Sequence, residues 1–139
     1  MSNEFEQISL KTGVMKHNGG LLFKTISKSE YEFKATIKES HLNAAGITHG
    51  GFIATFIDAG AGTAAHRVAD QKPCVTISLE IKFISPVKLG QELIGKTKIQ
   101  KKTKSMVFLT CELITENKIV ATASGVWKIL KLTGAGPGG

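Results

Sequence analysis

Apolar and polar residues alternate along most of this chain. The alternation is clearest over residues 75–84, VTISLEIKFI, where every second residue from Val75 to Phe83 is apolar. A period of two is typical of strands with one buried face. Turn residues near 101–105 and 116–118 predict an antiparallel meander at the end of the chain. In total the pattern predicts six strands, at residues 21–26, 31–39, 75–84, 92–100, 106–114 and 118–130.

A single long helical pattern interrupts the strands, beginning near Gly50 and ending around Val68. The order along the chain is therefore two strands, one helix and four strands. An antiparallel sheet of this kind has to bury one of its faces against the helix. The sequence therefore predicts an α+β fold with one central helix on an antiparallel sheet.

The predicted helix carries one unusual residue, Asp58, the only formally charged residue between His49 and Ala65. A carboxylate among apolar residues is costly unless it is hydrogen-bonded or faces a cavity. Asp58 is therefore predicted to be a general base or nucleophile in a cleft, the alternative being a solvent-facing or structurally hydrogen-bonded acid. On a helical wheel the large apolar side chains point away from it, and its own face holds small residues: Gly51, Ala54, Thr55, Ala61, Gly62 and Ala65.

Two glycines, Gly50 and Gly51, open the same helix. The first N–H groups of a helix have no partner within the helix, and the helix dipole places partial positive charge there. These amides are predicted to bind an anion or an oxyanion. The alternative is that the glycines form a tight turn into close packing.

The charge of the chain narrows the choice of partners. The formal net charge is +7, but among 18 Lys and Arg residues only Arg67 is arginine. Proteins that read bases depend on arginine and stacking aromatic residues, so we expect no nucleic-acid partner. Lysines are concentrated in one segment, which predicts either a solvated hairpin or a docking surface for a phosphorylated small molecule. The segment holds Lys96, Lys98, Lys101, Lys102 and Lys104.

The length of 139 residues fits one domain, which we place at residues 1–133, with the Gly-rich segment 134–139 as a flexible tail. No segment has the uninterrupted apolar character of a membrane span or of a secretory leader. We therefore expect a soluble, cytoplasmic protein with no membrane partner. Cys74 and Cys111 are isolated within or beside apolar strand patterns, which favours reduced core thiols over a disulfide or a metal site.

Two segments, residues 41–66 (HLNAAGITHGGFIATFIDAGAGTAAH) and residues 75–93 (VTISLEIKFISPVKLGQEL), carry a family resemblance. They resemble the hotdog-fold acyl-CoA thioesterases of the phenylacetate-pathway type. The resemblance implies a long helix wrapped by a curved antiparallel sheet, homodimers that often pair again into tetramers, and hydrolysis of acyl-CoA thioesters. It implies no cofactor, because the CoA thioester is the substrate. Its signature is Asn43, then His49-Gly50-Gly51, then Asp58.

Thioester hydrolysis needs an activated water or a carboxylate nucleophile, together with donors for the carbonyl oxygen. Gly51 and Asp58 lie about 10 Å apart along one helix axis, too far to act on the same carbonyl. We therefore predict that Gly51 N–H polarises the carbonyl while Asp58 of a two-fold-related chain activates water or attacks directly. Asn43 and His49 are predicted to orient the carbonyl and the loop.

The resemblance also implies a hydroxyl group beside the acid, at Thr76. Ser78 is the alternative, because strict alternation would place it on the same strand face as Thr76. The same resemblance implies that the nucleotide end of CoA lies on the sheet surface around Phe83 and the turn 101–106. With the free amide at the helix start, the residues predicted to bind CoA are Gly50, Phe83, Lys101, Lys102, Lys104, Ser105 and Met106.

Two other functions stay open at the level of sequence. A hydratase or dehydratase acting on acyl-CoA or acyl-carrier protein would use His49 with Asp58, and a non-catalytic acyl-CoA sensor would need an output module. Release of free thiol from acyl-CoA distinguishes both from a thioesterase. We expect no metal site, because His17 and His41 lack companions at ligand spacing. His66, near the helix end, is expected to contact the helix dipole.

Overall fold

The computed structural model of the chain describes residues 4–9 and 11–131. Within these residues a sheet of seven antiparallel strands, in the order β1-β2-β3-β5-β6-β7-β4, packs against one long helix. The elements are β1 Glu6–Ile8, α1 Val14–His17, β2 Leu21–Thr25, β3 Glu30–Thr36, a 3-10 helix Glu39–His41, α2 Gly50–Val68, β4 Cys74–Phe83, β5 Glu92–Lys102, β6 Met106–Thr115 and β7 Lys118–Ile129.

The predicted α+β class and the order of two strands, one helix and four strands are confirmed from residue 21 onward. Three short elements, β1, α1 and the 3-10 helix, were not predicted, since they contain three, four and three residues and have no periodic pattern long enough to detect. The predicted tail, residues 134–139, lies outside the described residues. No helix in the described ranges is both long and apolar enough to cross a membrane.

The core lies between α2 and the inner face of the sheet. Phe56 and Ile57 of α2 are completely buried there, and burying a side chain of this size stabilises the fold by roughly 1.5–3 kcal/mol. The ring of Phe33 is held between the helix and the sheet at two glycines. A Cβ at Gly60 of α2 or at Gly95 of β5 would lie 2.3 Å from this ring. The two glycines therefore let an aromatic ring fill the space between the helix and the sheet.

Strand β4 contains a β-bulge that decides which hydroxyl faces the helix. Thr76 is in register with Trp127, and Ser78 is in register with the next residue, Val126, so Ile77 is an extra residue. A bulge reverses the alternation of side chains along the strand. Thr76 consequently faces α2, and Ser78 lies in a groove on the outer face of the sheet with Glu80. The expectation that Thr76 and Ser78 share a face is wrong for this reason.

β4 is also an edge strand, since β7 is its only neighbour in the described sheet. Its alternating pattern predicted one buried face, yet Ile77 is 50% exposed, Phe83 is 57% exposed, and Ile84 just beyond the strand is 56% exposed. α2 does not cover these side chains in the single chain. β4 therefore presents both unpaired backbone groups and apolar side chains on its open side.

Candidate active site

Asp58 and Thr76 meet on the open side of α2. The hydroxyl of Thr76 donates a hydrogen bond of 2.7 Å to Asp58 Oδ1. Asp58 is exposed in the single chain and lies on the wall of an open cleft of about 440 Å³. One carboxylate oxygen is thus held in place by the strand while the other is free to act on a substrate. The remaining cleft residues are Ala59, Gly62, Thr63, His66, Pro73, Cys74 and Trp127.

The small-residue face around Asp58 is narrower than the helical wheel predicted. Ala61 and Ala65 are completely buried, whereas Gly51 is exposed and Gly62 is half-buried. The open strip of the helix is therefore limited to one side, running from Gly51 past Asp58 to Gly62. It still allows close approach of another molecule.

His49 caps the first turn of α2. Its Nδ1 accepts a hydrogen bond of 2.8 Å from Gly51 N–H. The amide predicted to polarise a carbonyl is therefore already engaged by a side chain of its own chain. Gly50 N–H, by contrast, makes no hydrogen bond within the described residues. Gly50 thus supplies the free donor at the positive end of the helix.

Asn43 organises the loop that leads into His49. Its Oδ1 accepts hydrogen bonds from Ala45 N–H at 2.9 Å and from Ile47 N–H at 3.3 Å. Its backbone N–H donates to the carbonyl of Ile47 at 2.7 Å, and Gly46 supplies the positive φ of 81° within the turn. The side-chain Nδ2 makes no hydrogen bond in the part of the chain that the structure describes. Asn43 therefore fixes the loop with its oxygen and keeps an N–H group free.

The residues predicted to bind CoA fall into two groups at opposite ends of the sheet. Phe83 lies against the start of α2, where a Cβ at Gly50 would be 3.5 Å from its ring. Phe83 is in register with Ala121, which is in register with Leu113 of β6. Met106 is at the other end of the same strand. The turn at residues 101–106, which we call the lysine hairpin, therefore lies about 23 Å from Phe83. This second group contains Lys101, Lys102, Lys104, Ser105 and Met106.

The lysine-rich segment itself is divided by the register of the sheet. Lys96 lies opposite Glu32 of β3 and Glu112 of β6, and Lys98 lies opposite Glu30. Cross-strand neighbours of opposite charge attract each other, although neither Lys96 nor Lys98 forms an ion pair within the described residues. The remaining lysines, at positions 101, 102 and 104, are all exposed, and Lys101 and Lys102 lie opposite the apolar residues Phe108 and Val107. The sequence alone could not separate the two groups, because the glutamates on β3 are distant in the chain.

His41, which precedes α2, and His66, in its last turn, have different surroundings. His41 is 2% exposed, accepts a hydrogen bond from Lys38 N–H at Nδ1, and contacts the carbonyl of Asn18 through Nε2. Burial lowers the pKa of His41, as expected for a neutral core imidazole. His66 lies on the cleft wall and donates through Nδ1 to the carbonyl of Lys72 at 2.8 Å. His66 therefore has a defined partner beyond the predicted dipole contact.

Both cysteines are free thiols. Cys111 is buried, and burial raises the pKa of its thiol to about 12, as predicted for a core thiol. Cys74 is only half-buried and lines the cleft, so its surroundings differ from the predicted core. Within the described residues no group of three His, Cys, Asp or Glu side chains is placed to hold a metal ion.

Sequence reasoning missed one notable cleft residue, Trp127. It is the only tryptophan of the chain, lies on the inner face of β7 and is 1% exposed. Its register with Thr76 brings it beside the acid. Knowledge of the register between β4 and β7 would have placed Trp127 beside Thr76. That register depends on the bulge, which the sequence does not show.

One long helix packed against an antiparallel sheet is the architecture of the hotdog class of proteins. Residues 45–122, more than half of the chain, match the family described as the Thioesterase superfamily. The chain belongs to this superfamily. The predicted resemblance to hotdog-fold thioesterases is confirmed.

Relatives and solved structures agree with this assignment. The chain is 31% identical over 87 residues to acyl-coenzyme A thioesterase 13 of Mus musculus, and the match covers 61% of this chain and 62% of the mouse protein. The structure of zebrafish thioesterase superfamily member 2 matches with a TM-score of 0.79 at 18% identity, over 87% of this chain and 90% of that one. The PaaI protein from the phenylacetic acid degradation operon of E. coli matches with a TM-score of 0.76 at 20% identity, over 86% and 85% of the two chains. These structural matches confirm the hotdog fold.

Proposed function

We propose that the protein is an acyl-CoA thioesterase that uses Asp58 as general base or nucleophile. The observation that carries the proposal is the hydrogen bond from Thr76 to Asp58 at the cleft, in a chain that belongs to the thioesterase superfamily. A carboxylate with one oxygen fixed and the other free suits attack on a carbonyl carbon or activation of water. The name of the mouse relative, an acyl-coenzyme A thioesterase, supports the choice of substrate.

The reaction adds water across the bond between the acyl carbon and the CoA sulfur. Asp58 takes a proton from a water molecule whose oxygen bonds to the carbonyl carbon, or its own oxygen bonds first and water then releases the acid. The C–S bond breaks, the electron pair leaves with sulfur, and the proton passes to the CoA thiolate. The products are a free carboxylic acid and CoA.

Gly50 N–H is the group we assign to the carbonyl oxygen, on which negative charge develops during the attack. It makes no hydrogen bond within the described chain and lies at the positive end of α2. Asn43 Nδ2, which is also free, is a candidate second donor, and His49 holds the turn through Gly51. We therefore assign to Gly50 the binding of the carbonyl oxygen, which the sequence predicted for Gly51.

The complete site requires two chains. Gly50 and Asp58 lie eight residues apart on one helix, about 12 Å along its axis, whereas both must contact one thioester group. Antiparallel pairing of the β4 edges of two copies would place the Gly50 end of one chain beside the Thr76 end of the other. The unpaired edge and the exposed Ile77 and Phe83 support this homodimer.

The same two-fold arrangement accounts for the separated CoA groups. It would bring Phe83 and Gly50 of one copy to the lysine hairpin of the other, although they lie at opposite ends within a single chain. The exposed Lys101, Lys102 and Lys104 would then attract the phosphates of CoA.

Replacement of Asp58 by asparagine (D58N) tests the function. The introduced amide oxygen would still accept the hydrogen bond of Thr76, but the side chain could neither take a proton nor attack. We expect kcat for thiol release from acyl-CoA to fall by about 10²-fold to 10⁴-fold, with an unchanged circular dichroism spectrum. A D58N variant with full activity would overturn the proposal. A wild-type protein that binds acyl-CoA without releasing thiol would point to the hydratase or sensor alternative.

A further inference from the structure

We propose that the cleft beside Asp58 selects acyl groups carrying a neutral oxygen atom near the thioester, and that the indole N–H of Trp127 recognises this oxygen. The inference rests on the proposed thioesterase function and names the class of acyl group. Trp127 would be a residue that determines specificity, separate from the groups that act on the carbonyl.

The indole ring is held rigidly between the helix and the sheet. A Cβ at Gly125, two residues earlier on β7, would lie 2.5 Å from Cζ3 of Trp127, and a Cβ at Gly62 of α2 would lie 3.4 Å from its Nε1. The benzene part of the ring thus covers one glycine, and the N–H edge lies beside the other. Because neither glycine has a side chain, the ring has room to lie between the strand and the helix, with Nε1 beside α2 at Gly62.

This N–H group has no partner in the described residues. Trp127 is 1% exposed, and its Nε1 makes no hydrogen bond. Thr97 Oγ1 is the only side-chain polar atom there that is both sealed from solvent and unpartnered, so the small exposed area of Trp127 includes Nε1. A nearly buried donor without an acceptor costs about 1–3 kcal/mol. An acceptor on a bound molecule in the cleft would remove this cost.

The position of the N–H group defines where the acceptor lies. Gly62, which adjoins Nε1, follows Asp58 by one helical turn, about 6 Å along the axis. Thr76, which holds Asp58, is the register partner of Trp127. The oxygen that Trp127 binds is therefore within a few bonds of the thioester carbonyl.

The charge of the cleft indicates that this oxygen is neutral. None of the described residues that line the cleft is lysine or arginine, and Asp58 is on its wall. A second carboxylate on the acyl group would find no lysine or arginine among these residues to pair with and would lie near the Asp58 carboxylate. A hydroxyl or keto oxygen needs only one donor, and the indole N–H supplies it. Hydroxyacyl and oxoacyl groups are therefore the class that the cleft fits.

The test compares hexanoyl-CoA with 3-hydroxyhexanoyl-CoA and 5-hydroxyhexanoyl-CoA. For the wild-type protein we expect kcat/KM to favour at least one hydroxyacyl substrate by about tenfold, as for one hydrogen bond to an otherwise unpaired buried donor. Trp127→Phe keeps an aromatic ring but removes the pyrrole ring with its N–H, so the preference should disappear. Gly62→Ala places a methyl group over Nε1 and should reduce the same ratio while Trp127 is retained.

A wild-type protein that hydrolyses all three substrates equally, or a W127F variant that keeps the preference, would overturn the inference and leave the proposed function intact. If no acyl-CoA is hydrolysed, the proposed function fails, and fluorescence decides the inference separately. Trp127 is the only tryptophan, so its emission reports the site directly. A non-hydrolysable thioether analogue of the preferred hydroxyacyl-CoA should shift the emission, whereas the hexanoyl analogue should not; equal shifts would contradict the proposal.

Discussion

The N–H groups at the start of α2 are not equivalent, although the sequence presents them as a simple glycine pair. His49 accepts the hydrogen bond of Gly51, and Gly50 N–H makes no hydrogen bond to any residue that the structure describes. The anion-binding helix start stays a prediction, and the sequence could not show which amide the histidine ring would occupy. That choice depends on the side-chain rotamer of His49, which a one-dimensional pattern does not contain.

A proline at position 50 tests the role of this single N–H. Proline is favoured at the first position of a helix, and the ψ of 133° at His49 suits a residue before proline. Gly50→Pro should therefore fold normally while lowering kcat by about 10²-fold to 10³-fold, as for loss of one oxyanion donor.

The matched control is Gly50→Ala, which keeps the N–H. A Cβ at this position would be in ordinary contact, 3.5 Å, with Phe83, so G50A should retain most of the activity. Steady-state thiol release measures both variants, and equal activity of G50P and G50A would contradict the role of the amide.

Asp58 illustrates what the sequence does reveal at the residue scale. It interrupts a long run without formal charges, and the structure places it on a cleft with Thr76 as its partner. The choice between Thr76 and Ser78 was beyond the sequence, because strict alternation puts both on one face. One inserted residue, Ile77, reverses that relation.

At the scale of elements, the packing of α2 depends on glycines in two opposite ways. Gly60 faces the sheet, where the ring of Phe33 occupies the space of its missing side chain. Gly62 faces the open side and has only Trp127 Nε1 nearby. The helical pattern predicted the bounds of α2 well. It could not predict which side chain of the sheet packs against each glycine, because that depends on which strand lies over that turn of the helix.

These two glycines give a paired prediction for stability. Alanine is favoured over glycine in a helix interior by about 1 kcal/mol, so Gly62→Ala should raise the free energy of unfolding. Gly60→Ala should instead lower it by about 1–3 kcal/mol, because an overpacked core has to shift. The Phe33 ring cannot move away, since Gly95 confines it from the other side.

Urea denaturation of the two variants checks this prediction. The midpoint for G62A should lie above that of the wild-type protein, and the midpoint for G60A should lie below it. If both variants are stabilised equally, the account of Phe33 as a ring held between two glycines is incorrect.

At the scale of the whole molecule, the residues of the proposed site lie in two separate places on the single chain. Gly50 and Phe83 lie together at one end, while Asp58, Thr76 and the lysine hairpin lie toward the other. The sequence predicted a two-chain site from the spacing along one helix, and that spacing is a fixed property of helical geometry. The position of the second chain stays a prediction, because it depends on how the β4 edges pair.

Mixing two inactive variants tests the two-chain site most directly. D58N lacks the acid and G50P lacks the amide, so each homodimer should be inactive. After joint unfolding and refolding in equal amounts, half of the dimers should contain one chain of each variant. Each mixed dimer should have one intact site and one inactive site, so the mixture should regain about a quarter of the wild-type activity. D58N mixed with Asp58→Ala serves as the control and should stay inactive. A mixture of D58N and G50P that remains as inactive as its parents would contradict a site shared between two chains.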